Sequence, residues 1–156
     1  MQWHKAGGKV HHFHATGKYG VELMPRLLKE RGVDINSPYL HITEYINNMD
    51  VLMAAADLVI CRAGAITVSE LQAQGKPAVL IPSPNVAENH QFYNVKVLRD
   101  IDAAILIEEK DLNEKTITES FEKLYQNPQL IMDMGQRAKT AYNPRCVDII
   151  YENLDL

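Results

Sequence analysis

Short apolar runs alternate along the chain with segments of helical periodicity. The run "KVHHFHAT" reads as a strand ended by Gly17. "YGVELMPRLLKERG" reads as a helix, with Leu23, Leu27 and Leu28 on one face and Gly32 as its C-cap. Pro25 is expected in the first turn of that helix or at its true start, because an interior proline loses a hydrogen bond. "YLHITEYI" is a second strand and "NNMDVLMAAAD" a short helix, with Met49, Leu52, Met53 and Ala56 at helical spacing. "DLVIC" and "AVLIP" are the third and fourth strands. A helix is predicted from about Gln91 to Arg99, followed by a fifth strand, "AAILIE". From Asn113 onward three helical patterns follow, the first striped by Ile117, Phe121, Leu124 and Tyr125.

Strands that are apolar on nearly every residue belong to parallel sheets covered on both faces. The alternation therefore predicts an α/β fold with a doubly wound, Rossmann-like parallel sheet, as a single domain over residues 1–156. Ligands of such sheets bind beyond the carboxyl ends of the strands. Attention falls on the loops after Ala15, Ile42, Cys61 and Ile81.

Composition narrows the partners. The 156 residues suffice for a core without staples, and 46% hydrophobic with 23% charged residues is ordinary for a globular protein. A formal charge of −4 without a basic face argues against nucleic acid as a partner. No apolar run approaches the roughly 20 residues that span a bilayer. The opening "MQWHKAGGKVHHFH" has no apolar leader segment. Cys61 and Cys146 are too few for a disulfide framework, which suggests a reducing, cytoplasmic setting.

The candidate chemistry sits in "CRAGAITVSE". A strand ends at Cys61, Gly64 permits a tight turn, and a helix begins near Ala65 or Ile66. Unbonded amides at a helix N-terminus favour an anion, so a phosphate or diphosphate fits there, with Arg62 nearby. The alternative is an ordinary strand–turn–helix connection. Glu70 has two readings. If Thr67 is the N-cap, Thr67 and Glu70 form a capping box. If the helix starts earlier, the Glu70 carboxylate is available to a ribose diol. After the fourth strand, Asn89, His90 and Gln91 offer donors and acceptors to sugar hydroxyls, or Asn89 simply caps a helix. In "HHFH", His12 and His14 share one face of a strand, but no further ligands stand at a metal-site spacing. No G-x-G-x-x-G, P-loop or G-x-S-x-G motif is present.

"HATGK", "ITEYINNMDVLMAAADLVICRAGAITVSELQAQGKPAVLIPSP" and "ENHQFYN" together resemble the C-terminal half of the MurG family. These are the bacterial glycosyltransferases that add GlcNAc to lipid I, making lipid II for peptidoglycan. The resemblance runs from about Val10 to the last helices. It implies the GT-B architecture, two Rossmann-like domains across a cleft, with the C-terminal one binding the substrate UDP-GlcNAc. It implies that Ile46 meets the uracil edge through its backbone. Gly64, Ala65, Ile66 and Thr67 would hold the diphosphate, and Glu70 the ribose. His90 and Gln91 would contact the GlcNAc hydroxyls, and Thr16 and Gly17 would line the cleft. Some members carry Gln at the His90 position, which assigns that residue to binding rather than acid–base work. The implied transfer is inverting and needs no cofactor or bound metal.

The resemblance also implies what the sequence lacks. The N-terminal domain, which supplies the lipid I site, the membrane-facing patch and the candidate base, is not in these residues. No catalytic residue is therefore expected here, and the chain alone is expected to be inactive. A full-length form would sit on the inner face of the cell membrane. Nothing before Val10 matches the family's first strand and Gly-rich loop, so a piece of a longer protein or a truncated reading frame is expected. That strand is central in a doubly wound sheet. Its absence predicts a gap closed by strand rearrangement or by self-association. Other readings are a non-catalytic UDP-sugar binding module and the soluble subunit of a split UDP-GlcNAc transferase. A UDP-GlcNAc 2-epimerase would ask for clustered acidic residues, and the Glu70 region has one.

Overall fold

The computed structural model describes residues 9–154, so the reading of the first eight residues lies outside it. Two compact units divide between Asp50 and Val51. The first holds β1 (His12–Ala15), α1 (Gly17–Glu30) and β2 (Leu40–Thr43). The boundary falls inside α2 (Met49–Ala55). The second unit continues through β3 (Val59–Cys61), α3 (Ala65–Gln74), β4 (Ala78–Leu80), α4 (His90–Arg99) and β5 (Ala104–Leu106). It ends with α5 (Glu114–Tyr125), α6 (Pro128–Thr140) and α7 (Cys146–Glu152).

In the first unit β1 and β2 pair in parallel, His12 opposite Leu40 and Ala15 opposite Thr43. Leu28, Val33 and Leu40 are buried together, with Met24 and Ile42 packed against them. Met24, one turn before Leu28, joins this cluster, whereas Leu23 of the expected apolar face is exposed. The helix starts at Gly17, two residues earlier than its pattern suggests, so Pro25 lies in its interior rather than its first turn. The early start follows from Gly17 itself: at φ 70° it turns the chain from strand into helix within one residue. The C-cap is Arg31, and Gly32 sits one residue beyond it at φ 69°. The amides of Gly32 and Val33 donate to the carbonyls of Lys29 and Leu28 at 2.9 Å, and Val33 packs beside Leu28. That pairing satisfies two carbonyls the helix end would otherwise leave open.

The second unit has a parallel sheet ordered β3-β4-β5, with Val59 opposite Ala78 and Ala78 opposite Ala104. All three residues of β4 are buried. Ala78 and Leu80 pack with Val68 and Leu71 of α3 and Val95 and Leu98 of α4. Val79 points the other way, into a cluster with Leu124 of α5 and Met134 of α6. Helices thus cover both faces of the central strand, which is why its sequence shows no polar alternation. Asn113 caps α5 by accepting from the amides of Lys115 and Thr116, and Asn127 caps α6. The Lys76 ammonium donates to the carbonyls of Ala54 and Ala56 at 2.6 and 3.0 Å, where α2 ends.

Every strand pairing is parallel, and among the described residues seven α-helices accompany the five strands. β1 and β3 are each an edge of their own sheet and do not pair with one another. Among the described residues no helix is long and apolar enough to cross a membrane.

Candidate binding site for an anionic ligand

The site is built on the turn between β3 and α3. Gly64 is the N-cap of α3, and among the described residues no side chain caps the helix. Thr67 is consequently the third helical residue, and the capping-box reading of Thr67 and Glu70 fails: the helix starts too early for it. Glu70 lies in the second turn, exposed, with no hydrogen bond or ion pair among the described residues. Among the described residues no side-chain oxygen caps the first-turn amides of Ala65, Ile66 and Thr67, and the first turn holds no acidic residue. An uncapped helix start without a local carboxylate is a place for an external anion.

The role of Gly64 differs from the expectation. Its φ of −63° and ψ of 146° are open to any residue, so the turn does not need glycine. A Cβ there would find only the Thr67 Oγ1, at 3.8 Å, and so would project over the helix start. What glycine provides is clearance above the amides rather than backbone freedom.

Arg62, expected beside the anion, is engaged elsewhere. Its Nη1 donates to Glu109 Oε2 and, at 3.4 Å, to the carbonyl of Ile81, while Nη2 donates to Glu109 Oε1 at 3.2 Å. The hydrogen bond to Glu109 raises the arginine pKa, and Arg62 in turn holds the Glu109 carboxyl below its usual range. Glu109 was not legible as a functional residue, since it sits in the charged run "EEKD", which reads as a solvated loop.

The loop after β4 approaches from α4. Asn94 donates through Nδ2 to the carbonyl of Ala63 at 3.0 Å, tying α4 to the turn before α3. Asn94 is the last residue of "ENHQFYN", a stretch whose sequence assigned roles only to Asn89, His90 and Gln91. Gln91 accepts from the Ser83 amide at 2.8 Å through Oε1, which fixes the loop and leaves its amide nitrogen as the donor end. Asn89 occupies the N-cap of α4 at φ 54°, but its side chain does not cap. Glu88 is also left-handed, at φ 53°. Two successive non-glycine residues in that region mark a strained turn. Asn89 lines a cavity of about 320 Å³ together with Pro82, Pro84, Phe92 and Glu109. His90 is exposed at the first position of α4.

The remaining candidates belong to the first unit. Thr16 donates through Oγ1 to the carbonyl of Thr43 at 3.2 Å, and the Gly17 amide to the carbonyl of Glu44 at 3.0 Å. Ile46 is half-buried between β2 and α2. On β1, His12 and His14 stack at 5.5 Å on one face, while Phe13 stacks on His41 of β2 at 4.3 Å. Burial lowers the His14 pKa, and its Nδ1 is buried without a partner among the described residues. Among the described residues no three His, Cys, Asp or Glu side chains are grouped to hold a metal.

Cys61, at the strand end, is mostly buried, and that burial pushes its thiol up to about 11. At pH 8 it is therefore protonated and a poor nucleophile. Iodoacetamide is expected to label the exposed Cys146 first and Cys61 more than about tenfold more slowly, with the Cys61 rate climbing toward pH 11. Equal labelling at pH 8, followed by peptide mass analysis, would contradict this burial.

Comparisons with known proteins agree with the fold and the motifs. Residues 1–147 match the glycosyltransferase family 28 C-terminal domain, so the match begins earlier than Val10, where the recognisable motifs start. The chain is 36% identical over 144 residues to the UDP-N-acetylglucosamine–N-acetylmuramyl-(pentapeptide) pyrophosphoryl-undecaprenol N-acetylglucosamine transferase of Desulforudis audaxviator, covering 92% of this chain and 39% of that one. It is 40% identical over 142 residues to the transferase of the same name from Clostridioides difficile, covering 90% of this chain and 34% of the relative. The crystal structure of Acinetobacter baumannii MurG superposes with a TM-score of 0.79 at 30% identity, over 90% of this chain and 39% of that one. The chain thus spans between 34% and 39% of the length of these relatives. With the family match running over nearly the whole sequence, the chain belongs to the glycosyltransferase family 28 C-terminal domains.

Proposed function

We propose that the chain is the donor-binding domain of a UDP-GlcNAc-dependent hexosyltransferase that transfers GlcNAc to lipid I. The observation that carries the reading is the uncapped start of α3, with the amides of Ala65, Ile66 and Thr67 unclaimed by any side chain among the described residues. A diphosphate seated there meets the positive end of the helix dipole and three N–H donors. The same donors serve the reaction. Negative charge builds on the departing UDP as the sugar–phosphate bond breaks, and oriented amides stabilise it without rearranging. Glu70, in the second turn of α3 and without a hydrogen bond or ion pair among the described residues, suits the two hydroxyls of a ribose. Asn89, His90 and the donor end of Gln91 suit sugar hydroxyls. By the family resemblance, the lipid I site and the membrane-facing patch would lie in a domain outside these residues, which span 34–39% of the relatives' length.

Calorimetry with UDP-GlcNAc, UDP, UMP and uridine tests the reading. UDP is expected to bind more tightly than UMP, and Glu70→Ala to weaken UDP by roughly tenfold, the loss of hydrogen bonds to a charged group. An unchanged UDP affinity in Glu70→Ala would remove the ribose role. No binding of UDP by the wild-type chain would remove the donor-site reading altogether.

A further inference from the structure

Three segments leave the sheet of the second unit side by side at the carboxyl ends of β3, β4 and β5. Arg62 follows β3 directly, Ile81 follows β4 directly, and Glu109 lies three residues beyond β5. The Arg62 guanidinium touches both of the other segments. It donates to the Ile81 carbonyl at 3.4 Å and forks onto both oxygens of Glu109. The last backbone bonds between the strands lie just beneath: the Ile81 amide donates to Cys61 and the Ile107 amide to Leu80, each at 3.0 Å.

We propose that Arg62 is a positioning residue that clamps these three segments through Glu109 and the Ile81 carbonyl, and so holds the start of α3 in its anion-binding geometry without itself meeting the diphosphate. A forked arginine–carboxylate pair fixes orientation as well as distance, which an isolated ammonium would not do. Only Ala63 and Gly64 separate Arg62 from the first turn of α3, and Ala63 is fully buried with its carbonyl held by Asn94. Movement at Arg62 therefore passes to the α3 amides through a short, packed link. Glu109 also lines the cavity shared with Asn89, so the same carboxylate borders the loop that would carry the sugar contacts. The guanidinium and carboxylate are half-exposed, which limits the strength of the pair and makes it sensitive to salt.

The inference rests on the donor-site reading, and the test separates the two. Amide exchange at Ile81 and Ile107 is measured in the wild-type chain and in Glu109→Gln, without ligand. UDP and uridine are then titrated into the wild type, Glu109→Gln, Arg62→Glu and the double exchange Arg62→Glu with Glu109→Arg. The clamp predicts exchange at both amides about two- to fivefold faster in Glu109→Gln, the scale of a partly exposed pair. It predicts UDP weakened by a similar factor with uridine unchanged, and UDP affinity recovered to within about twofold of wild type in the double exchange. Unchanged exchange in Glu109→Gln overturns the clamp whatever UDP does. A double exchange that binds UDP as poorly as Arg62→Glu also overturns it, because the arginine would then be a phosphate ligand. A wild-type chain that fails to bind UDP overturns the proposed function instead, and the exchange rates alone then decide the clamp.

Discussion

Replacing Gly135 by alanine is expected to lower the thermal midpoint by about 5–10 °C, an effect of about 2–3 kcal/mol in a chain of this size. The cause is a close approach between α3 and α6. Gly75 ends α3 at φ 64°, and its amide and that of Lys76 close the helix onto Gln72 and Leu71. Gly135, buried within α6, crosses directly over this turn. A Cβ on Gly135 would lie 2.6 Å from the Gly75 carbonyl oxygen, which is backbone and cannot rotate aside. The helices would have to separate, and Ala138 and Met134 would lose contact with the two faces of β4 that they cover. The Lys139 ammonium, which donates to the Ala73 carbonyl at the end of α3, would move with them. Gly17→Ala is the informative control. Its φ of 70° penalises alanine, but no atom lies within 4 Å of the added Cβ, so the cost is conformational alone, about 1 kcal/mol. Differential scanning fluorimetry distinguishes the two. A Gly135→Ala midpoint within about a degree of wild type would mean that the helices do not meet as described.

Neither half of that glycine contact is visible locally. Gly75 is legible as a helix terminator, and Gly135 reads only as a helix-weakening residue inside "PQLIMDMGQRAKTAY". They are 60 positions apart, and only folding reveals that one is small because of the other. The same limit applies at the site. Element types were legible because β3, β4 and β5 are short and uniformly apolar and the helices have apolar stripes with identifiable ends. The α3 start was legible to within a residue, Ala65 or Ile66, and the observed N-cap Gly64 lies three residues before the Thr67 N-cap that a capping box with Glu70 requires. The partner of Arg62 was not legible, because Glu109 is 47 residues away and its neighbours are charged. Pro25 shows a related limit: proline commonly starts helices, but the left-handed Gly17 starts this one and leaves Pro25 in its interior.

The second large effect is expected at Gly64, and it runs in opposite directions for stability and binding. Gly64→Asp places a carboxylate at the N-cap of α3, where the backbone is already in the extended conformation that capping residues use. The side chain can accept from the Thr67 amide and meet the positive end of the dipole. Capping gains a few tenths of a kcal/mol over glycine, and the dipole adds about 0.3–1 kcal/mol. No clash offsets this, since the nearest atom to the new Cβ is 3.8 Å away. The thermal midpoint should therefore rise by about 1–4 °C. UDP affinity should fall at least tenfold, more than about 1.4 kcal/mol, because the carboxylate occupies the donors and repels the diphosphate. Gly64→Ala separates crowding from charge: it should weaken UDP less than the aspartate does and leave the midpoint nearly unchanged. Because the aspartate variant is expected to be the more stable protein, its loss of binding cannot be attributed to unfolding. Equal UDP affinity in Gly64→Asp and the wild type would show that the diphosphate does not sit on α3, whatever the family does elsewhere. A fall in both stability and affinity would instead mean that the helix start is shaped by contacts its glycine alone permits.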